Sequence, residues 1–261
     1  MSGHSKWANI KRQKTATDAK RGQLFTKITR LIVIAAKNGG DPSTNPKLAF
    51  AIEKAKEVNM PKETIEKAIK KGTGEDKSGG NFEELVLEGV GKSGVGLLIE
   101  CTTDNRNRTI SEVKKVLERG GWTLGEEGAI SWQFEPRGLV TLPVVEKREE
   151  KKSWQSDEDK TKPLTLGEIE NFELSMIEVD GVLNVRQEGN VLEVYTDPKK
   201  VGSVYKHILE DLKYTVDSFE IIMVPKTPLS VNEDVKEKIK SIIEQLEDLD
   251  DVQTVWVNVE I

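Results

Sequence analysis

The sequence contains a single cysteine, Cys101, and only two histidines, His4 and His207, among its 261 residues. One cysteine excludes an internal disulfide, and the two distant histidines do not provide the Cys/His spacing of a zinc site. Cys101 lies in the apolar stretch VGLLIECTT, which favours a buried and unreactive thiol. The sequence therefore predicts no bound metal and no cofactor.

Long apolar runs are also lacking. No run approaches the roughly 18 residues of a membrane span. The amino terminus has no signal-peptide core either, because Ile10 is followed by the polar stretch KRQKTATDAKRGQ. We therefore expect a cytoplasmic protein without a membrane partner.

Catalytic motifs are missing as well. The chain has no GxxxxGK[ST] loop, no GxGxxG after a strand and no HExxH helix. Carboxylates are plentiful, so Asp250 and Asp251 leave a two-metal nuclease open as an alternative. Their position directly before a strand favours a role in shaping a turn and a helix end. We expect a non-enzymatic protein, and metal-dependent cleavage of nucleic acid that a carboxylate substitution abolished would contradict this.

Positive charge is concentrated at the amino end. The net charge of the chain is −6, yet residues 1–75 carry sixteen Lys/Arg and seven Asp/Glu, a net charge of +9. The remaining residues therefore carry −15. A segregated basic region is the electrostatic footprint of a phosphate-bearing partner.

The stretch from Lys20 to Lys37 has the periodicity of an amphipathic helix. Its apolar positions share one side, and its basic positions lie opposite them, at Lys20, Lys27, Arg30 and Lys37. The pattern predicts a helix that buries one face and presents a row of cations on the other. An ordinary solvated surface is the alternative interpretation.

Changes in the spacing of apolar residues divide the rest of the chain into segments of predicted helix and strand. In the first domain, Asn45-Pro46 predicts a helix start and Gly72 a helix end. From Phe82 the pattern becomes mixed, and a capping box Thr109–Glu112 predicts a helix start. Strands are expected in the region from Trp122 to Phe134. A β-α-β-β-α-β order follows, with a helix from Val201 to Leu212, and then a strand at Pro228–Val231, a helix and a last strand.

These patterns predict an α+β multidomain protein. An all-α amino-terminal domain, a small helical bundle, precedes two α/β domains of the ferredoxin-like, split βαβ type. The expected boundaries are residues 1–75, residues 80–136 together with 227–261, and an inserted domain at residues 137–226. The inserted domain carries a charged, disordered loop at about residues 146–163, which contains Trp154.

Several motifs resemble the YebC/PmpR family. They cover the whole chain and read GHSKWANIKRQK, DAKRGQLFTK, NPKLAFAIEKAKEVNMPKETIEKAIKKGTGE, TTDNRNRT and LEDLDDVQTVWVNVEI. The family includes proteins described as probable transcriptional regulators that bind DNA, ribosome-associated translation factors and the mitochondrial translational activator of cytochrome c oxidase subunit 1. Its fold, a helical domain followed by two α/β domains, agrees with the pattern. The chain departs from the family at the charged insertion before LGEIENFELSMIEVDGVLNV, within the third domain.

Two groups of residues are candidate binding sites. Nucleic-acid contacts are expected from the basic region and its neighbouring rings, at His4, Lys6, Trp7, Lys11, Arg12, Lys14, Lys20, Arg21, Lys27 and Arg30. Arg106 and Arg108, placed just before the capped helix, form a secondary anion-binding candidate. The alternative is that Asp104 and the two asparagines order this turn while the arginines face water.

The function that these features predict is a regulator of gene expression that binds DNA through its basic amino-terminal domain. The alternative is a translation factor that binds ribosomal RNA and helps synthesis through stalling sequences such as proline runs. The acidic body favours the alternative slightly, because it would repel a long duplex. The expected partners are DNA or ribosomal RNA, with the ribosome and tRNA as further candidates, and the protein is expected to be a monomer.

Overall fold

The computed structural model describes residues 18–76, 82–147 and 161–260 of the chain. Within these ranges the protein is mixed α and β with two β-sheets, which confirms the predicted fold class at that level. Most of the predicted loop at 146–163 falls on residues 148–160, which lie outside the described ranges.

The elements follow in chain order. The α-helices are α1 (Asp18–Ala36), α2 (Pro46–Glu57), α3 (Lys62–Thr73), α4 (Arg106–Arg119), α5 (Ile169–Ile177), α6 (Val201–Lys206) and α7 (Glu233–Glu247). The strands are β1 (Glu83–Val90), β2 (Gly96–Thr103), β3 (Thr123–Leu124), β4 (Phe134–Val145), β5 (Leu164–Thr165), β6 (Val182–Glu188), β7 (Val191–Thr196), β8 (Ser218–Pro225) and β9 (Val252–Val257). None of the helices in the described ranges is long and apolar enough to cross a membrane.

Helices α1, α2 and α3 pack together through small and aliphatic side chains. Asn45 caps α2, because its side chain accepts the backbone N–H of Leu48, and Pro46 occupies the first helical turn. The same amide donates to the carbonyls of Ala35 and Gly39, so it also joins the end of α1 to the start of α2. The predicted start of this helix is confirmed.

The predicted helix end at Gly72 is wrong, because Gly72 lies inside α3 and the left-handed C-cap is Gly74 (φ 80°). Gly72 serves a different purpose. A Cβ at this position would overlap the carbonyl oxygen of Val33 and would lie 2.6 Å from the Cβ of Ala36. The absence of a side chain therefore lets α3 approach the backbone of α1.

Replacement of Gly72 by alanine is expected to lower the free energy of unfolding by about 2 kcal/mol, because the added methyl group overpacks the contact between α1 and α3. Gly22, inside α1, is the matched control, since a Cβ there meets no atom within 4 Å. Gly22→Ala should raise stability by about 0.5–1 kcal/mol through helix propensity. Urea unfolding followed by circular dichroism measures both changes, and equal effects of the two substitutions would contradict the predicted close contact.

The first sheet has the strand order β3-β1-β2-β9. Strand β2 pairs antiparallel with both β1 and β9, so the last strand of the chain joins the hairpin formed by residues 83–103. Helices α4 and α7 bury their apolar stripes against one face of this sheet. The core residues are Leu85, Leu87, Leu97, Ile99, Val113, Leu117, Ile239, Ile242, Leu246, Val255 and Val257.

The second sheet has the order β5-β4-β7-β6, with β8 also paired to β4. Strand β7 lies between β4 and β6 and is antiparallel to both. Helix α5 lies in the chain between β5 and β6. The core residues on the helical side are Val140, Leu142, Phe172, Met176, Leu192, Val194, Val204 and Ile208.

Three predicted elements differ from the structure. The strand predicted at Pro228–Val231 is reduced to a single bridge between Leu229 and Val259. The helix predicted from Val201 to Leu212 is α-helical only to Lys206, and a π-helical turn at His207–Asp211 follows. The strands expected between Trp122 and Phe134 amount to the two residues of β3 and a 3₁₀ turn.

Cys101 is buried in β2, as predicted. Burial, together with the nearby charge of Asp251, raises the pKa of its thiol to about 12. Because the thiolate is the reactive form, Cys101 should not react with Ellman's reagent at pH 8 in the folded protein and should react fully in concentrated urea. Rapid labelling under native conditions would show that β2 opens or that the thiol is not buried.

The described residues separate into two compact units. Glu135–Val224 forms one unit, and the residues up to Phe134 together with those from Pro225 onward form the other. Helices α1–α3 thus belong to the same unit as the first sheet. The division into three domains, including the ferredoxin-like assignment, stays a prediction.

Candidate nucleic-acid interface

The structure describes only some of the predicted contact residues. His4, Lys6, Trp7, Lys11, Arg12 and Lys14 lie outside the described residues. Lys20 and Arg21 belong to the first turns of α1. Lys27 and Arg30, further along α1, have described side chains, and their contacts change the prediction.

Lys27 and Arg30 do not form a row of cations in solvent, so this part of the prediction is wrong. Lys27 is only 8% exposed and donates its ammonium to the carbonyl of Glu247. Arg30 donates to the carbonyl of Asp250 and forms an ion pair with Asp251 (2.8 Å). The side of α1 that carries these two cations packs against the end of α7 and the turn before β9.

The carboxyl end of α7 explains why basic residues are needed there. The last carbonyls of a helix have no intrahelical partners and carry the negative end of the helix dipole. Gln23 donates its side-chain amide to the carbonyl of Asp248 (3.4 Å), one residue beyond the carbonyl that Lys27 binds. Polar and cationic side chains of α1 therefore satisfy the end of α7.

Asp251 is the centre of a buried charge network at this contact. Its carboxylate, 2% exposed, accepts hydrogen bonds from Thr109 (2.6 Å), Arg108 (2.7 Å) and Thr103 (3.1 Å), and it also pairs with Arg30. Burial by itself raises the pKa of Asp251, but these hydrogen bonds and the two guanidinium charges outweigh it, so the pKa lies below its ordinary value. The carboxylate stays ionised and joins α1, α4 and β9.

The helix start predicted at Thr109 is wrong. Helix α4 begins at Arg106, because Asn105 is the N-cap and accepts the backbone N–H of Arg108. Thr109 lies inside the helix, where its hydroxyl binds Asp251 instead of capping the helix. Arg106 and Arg108 therefore lie within the first turn of α4 and not before it.

Arg108 is already engaged by two carboxylates, Asp104 (2.9 Å) and Asp251 (2.7 Å). Arg106 is exposed in the same helical turn. The alternative prediction is that Asp104 and the two asparagines order this turn while the arginines face water. Asn105 does cap the helix and Arg106 is exposed, but Arg108 binds two carboxylates. Binding of an external anion by Arg106 and Arg108 stays a prediction.

Phe82 contacts three basic side chains, two through its ring and one through its backbone carbonyl. The Arg30 guanidinium lies 5.6 Å from its ring centroid, and the Lys71 ammonium lies 5.1 Å from it. Lys37 donates to the Phe82 carbonyl (2.6 Å). Arg30 of α1, Lys37 just after α1 and Lys71 of α3 thus contact the chain where it enters β1.

Other lysines of the helical layer remain at the surface. They belong to α2 and α3, and the sequence interpretation did not select them: Lys47, Lys56, Lys62, Lys67 and Lys70. Asp251 was also missed as an interaction centre, although Thr103, Thr109 and Asp251 all lie within motifs that carried the family resemblance. Within the described ranges, no group of three or more His, Cys, Asp or Glu side chains could hold a metal ion.

The fold and this charge network define a mixed α/β protein whose helical, basic amino-terminal part docks on the acidic turn before its last strand. A family model described as the TACO1/YebC protein N-terminal domain matches residues 5–75, and one described as the TACO1/YebC second and third domain matches residues 82–259. The chain belongs to the TACO1/YebC family.

Relatives similar to the chain over its full length carry regulatory names. A probable transcriptional regulatory protein of Thermoanaerobacter pseudethanolicus is 43% identical over 263 residues, covering 100% of this chain and 98% of the relative. One from Moorella thermoacetica is 43% identical over 265 residues, covering 100% of this chain and 96% of the relative. The crystal structure of a conserved hypothetical protein from Aquifex aeolicus has a TM-score of 0.79 and 36% identity, covering 98% of this chain and 97% of that chain.

Proposed function

We propose that this chain is a non-enzymatic, nucleic-acid-binding regulator of gene expression and that the residues before Gly22 make the main contact. The names of its relatives support the regulatory role. The net charge of +9 over residues 1–75, in a chain of net charge −6, supports a polyanionic partner.

The intramolecular use of Lys27 and Arg30 is the observation that carries the proposal. Because these two cations bind Glu247, Asp250 and Asp251 within the chain, an external phosphate would have to compete with buried interactions. The other predicted contact residues come earlier in the sequence. They are Lys6, Lys11, Arg12, Lys14, Lys20 and Arg21, with His4 and Trp7 as stacking groups.

Binding of duplex DNA through about five phosphates predicts that log K falls with log salt at a slope of about −4.5. The triple substitution K11E/R12E/K14E should lower affinity strongly and make this slope much shallower. Fluorescence anisotropy of labelled duplex, measured over a salt series, gives both quantities.

A matched control is available on α4. K114E/K115E/R119E makes the same change in charge at exposed positions of the acidic body. It should affect binding much less than the amino-terminal triple substitution. Unchanged affinity and slope in K11E/R12E/K14E would remove the proposed contact.

A ribosome-bound translation factor is the second candidate, favoured by the net charge of −15 outside residues 1–75. Such a body repels a long duplex but fits beside compact RNA when only one end is basic. Co-sedimentation with ribosomes at about 0.1 M salt, compared with gel shifts on random and specific DNA, separates the candidates. Ribosome association with only non-specific DNA binding would decide for translation.

A further inference from the structure

Trp132 is an exposed aromatic side chain on an ordered loop. It lies in the segment between β3 and β4, and 66% of its surface is accessible. Among the large apolar side chains exposed in the described ranges, Trp132 is the aromatic one; the others are aliphatic, at Val86, Leu166, Leu174, Ile177, Leu183 and Ile221. Its neighbours Ile130 and Phe134 are each only 4% exposed, so the loop is anchored on both sides of the ring.

A buried carboxylate holds the backbone just before Trp132. Glu88 of β1, 4% exposed, accepts the backbone N–H groups of Gly128 (2.8 Å), Ile130 and Ser131 (3.1 Å). Burial by itself raises the pKa of Glu88, but these donors outweigh it and leave the pKa below its ordinary value. The loop is therefore fastened to the sheet by an ionised acceptor.

Gln133, which directly follows Trp132, is held by two further contacts, one to its side chain and one to its backbone. The buried Asn258 donates its side-chain amide to the Gln133 side chain (2.6 Å), and the backbone N–H of Lys226 donates to the Gln133 carbonyl (2.8 Å). The Lys226 ammonium donates to the carbonyl of Trp132 itself (2.8 Å). Trp132 and a lysine are thus fixed side by side.

The orientation of the ring restricts what it can bind. The indole N–H donates to the carbonyl of Ala129 (3.1 Å), which satisfies its only donor. The ring therefore offers its π face and an apolar edge to a partner. The adjacent ammonium of Lys226 is exposed and carries N–H groups beyond the one given to Trp132.

We propose that Trp132 stacks on an unpaired nucleobase of a bound RNA and that Lys226 binds the phosphate of the same or the next nucleotide. A flat π surface beside a fixed cation matches the base and phosphate of one nucleotide unit. This inference rests on the proposed nucleic-acid-binding function and adds a second contact to it.

The loop also restricts the path of the strand. Glu126 and Glu127, exposed in the same segment, repel phosphates, so the backbone of the RNA runs on the Lys226 side of the ring. Asn258, which holds the loop, follows β9, whereas Asp251 precedes it. At about 3.3 Å per residue along this strand, Asn258 lies roughly 23 Å from Asp251. The loop that carries Trp132 is therefore held far from the contact between α1 and Asp251. Substitutions in the two regions can therefore be tested separately.

Trp132→Ala in the full chain is expected to weaken binding of a short labelled oligouridylate about tenfold, since stacking of one base contributes on that scale. Binding of an RNA duplex of the same length should change little, because its bases are already stacked. Trp132→Phe should retain most of the affinity, and Lys226→Gln should reduce the salt slope for the single strand by about 0.7. Ile177→Ala, at a 73% exposed aliphatic side chain, is the control and should leave both affinities unchanged.

The outcomes separate the two proposals. If the wild-type chain binds neither RNA but binds duplex DNA, only this inference fails; if it binds neither RNA nor DNA, the proposed function fails as well. If it binds both RNAs and Trp132→Ala binds the single strand equally well, or loses single strand and duplex to the same extent, only the stacking inference fails. A Trp132→Ala chain that binds RNA normally but no longer co-sediments with ribosomes assigns the ring to a protein partner, which also overturns base stacking.

Discussion

Replacement of Asp251 by asparagine is expected to lower the free energy of unfolding by about 3 kcal/mol at pH 7, because it leaves two guanidinium groups at a buried site without their counter-charge. Arg30 and Arg108 both bind this carboxylate at 2.7–2.8 Å, and their side chains are 12% and 43% exposed. Two threonine hydroxyls also lose their charged acceptor. Urea unfolding at pH 7 measures the change.

The same substitution should also alter the pH dependence of stability. The pKa of Asp251 is lower in the folded protein than its ordinary value of about 3.9. The carboxylate therefore stabilises the fold above that ordinary value, and this contribution is lost as the pH falls through the lower folded pKa. Asp251→Asn removes this contribution, so its deficit should shrink in the acid range.

Asp250 provides the control for both measurements. It is adjacent in sequence and exposed, and its backbone carbonyl, which a side-chain substitution leaves in place, makes the contact with Arg30. Asp250→Asn makes the same charge change and should alter stability by less than about 0.5 kcal/mol. Similar losses for the two variants would mean that the network around Asp251 does not hold α1 against the sheet.

Replacement of Glu88 by alanine is expected to cost about 3 kcal/mol. The three backbone N–H groups that it binds lie in a loop against the sheet, and each loses a charged acceptor. Glu88→Gln keeps one acceptor oxygen and should lose less. The local consequence can be seen directly, because hydrogen exchange at Gly128, Ile130 and Ser131 should accelerate in the alanine variant more than elsewhere.

Glu84 is the matched position for Glu88. It lies on the same strand, four residues earlier, and is exposed. Glu84→Ala should change stability by less than about 0.5 kcal/mol. Because the pKa of Glu88 is lowered in the fold, its contribution to stability is present at pH values above its ordinary pKa of about 4.3 and is lost as the pH falls through the lower pKa of the folded state. A Glu88→Ala protein with wild-type stability and unchanged amide exchange would disprove the anchoring of the Trp132 loop.

Local signals in the sequence predicted some helix ends correctly and others incorrectly. The helix start predicted at Asn45-Pro46 was correct, because a cap and a proline act on the residues that immediately follow them. The helix start predicted at Thr109 was wrong, because Asn105, four residues earlier, is an equally good cap and is the one that the helix uses. The hydroxyl of Thr109 instead bonds to Asp251, which lies 142 residues away. Nothing in a short window of sequence distinguishes these two uses of a threonine.

The basic face of α1 shows the same limit for the candidate site. The spacing of Lys27 and Arg30 predicts that they lie on the side of the helix opposite its apolar stripe. Their partners, the carbonyls of Glu247 and Asp250, are 220 residues further along the chain. A solvated cation and a cation buried against a helix end have the same pattern in sequence, so the prediction of an exposed row was wrong.

By itself, the sequence determined the segregation of positive charge, the mixed helix and strand content, the inert cysteine and the family. Composition, periodicity and motifs are local properties of the chain, and folding does not alter them. Only the tertiary structure decided which charges are used internally, how Gly72 brings two helices together and how Glu88 presents Trp132. Those outcomes depend on residues that meet only after the chain has folded, where burial makes a hydrogen-bond partner obligatory.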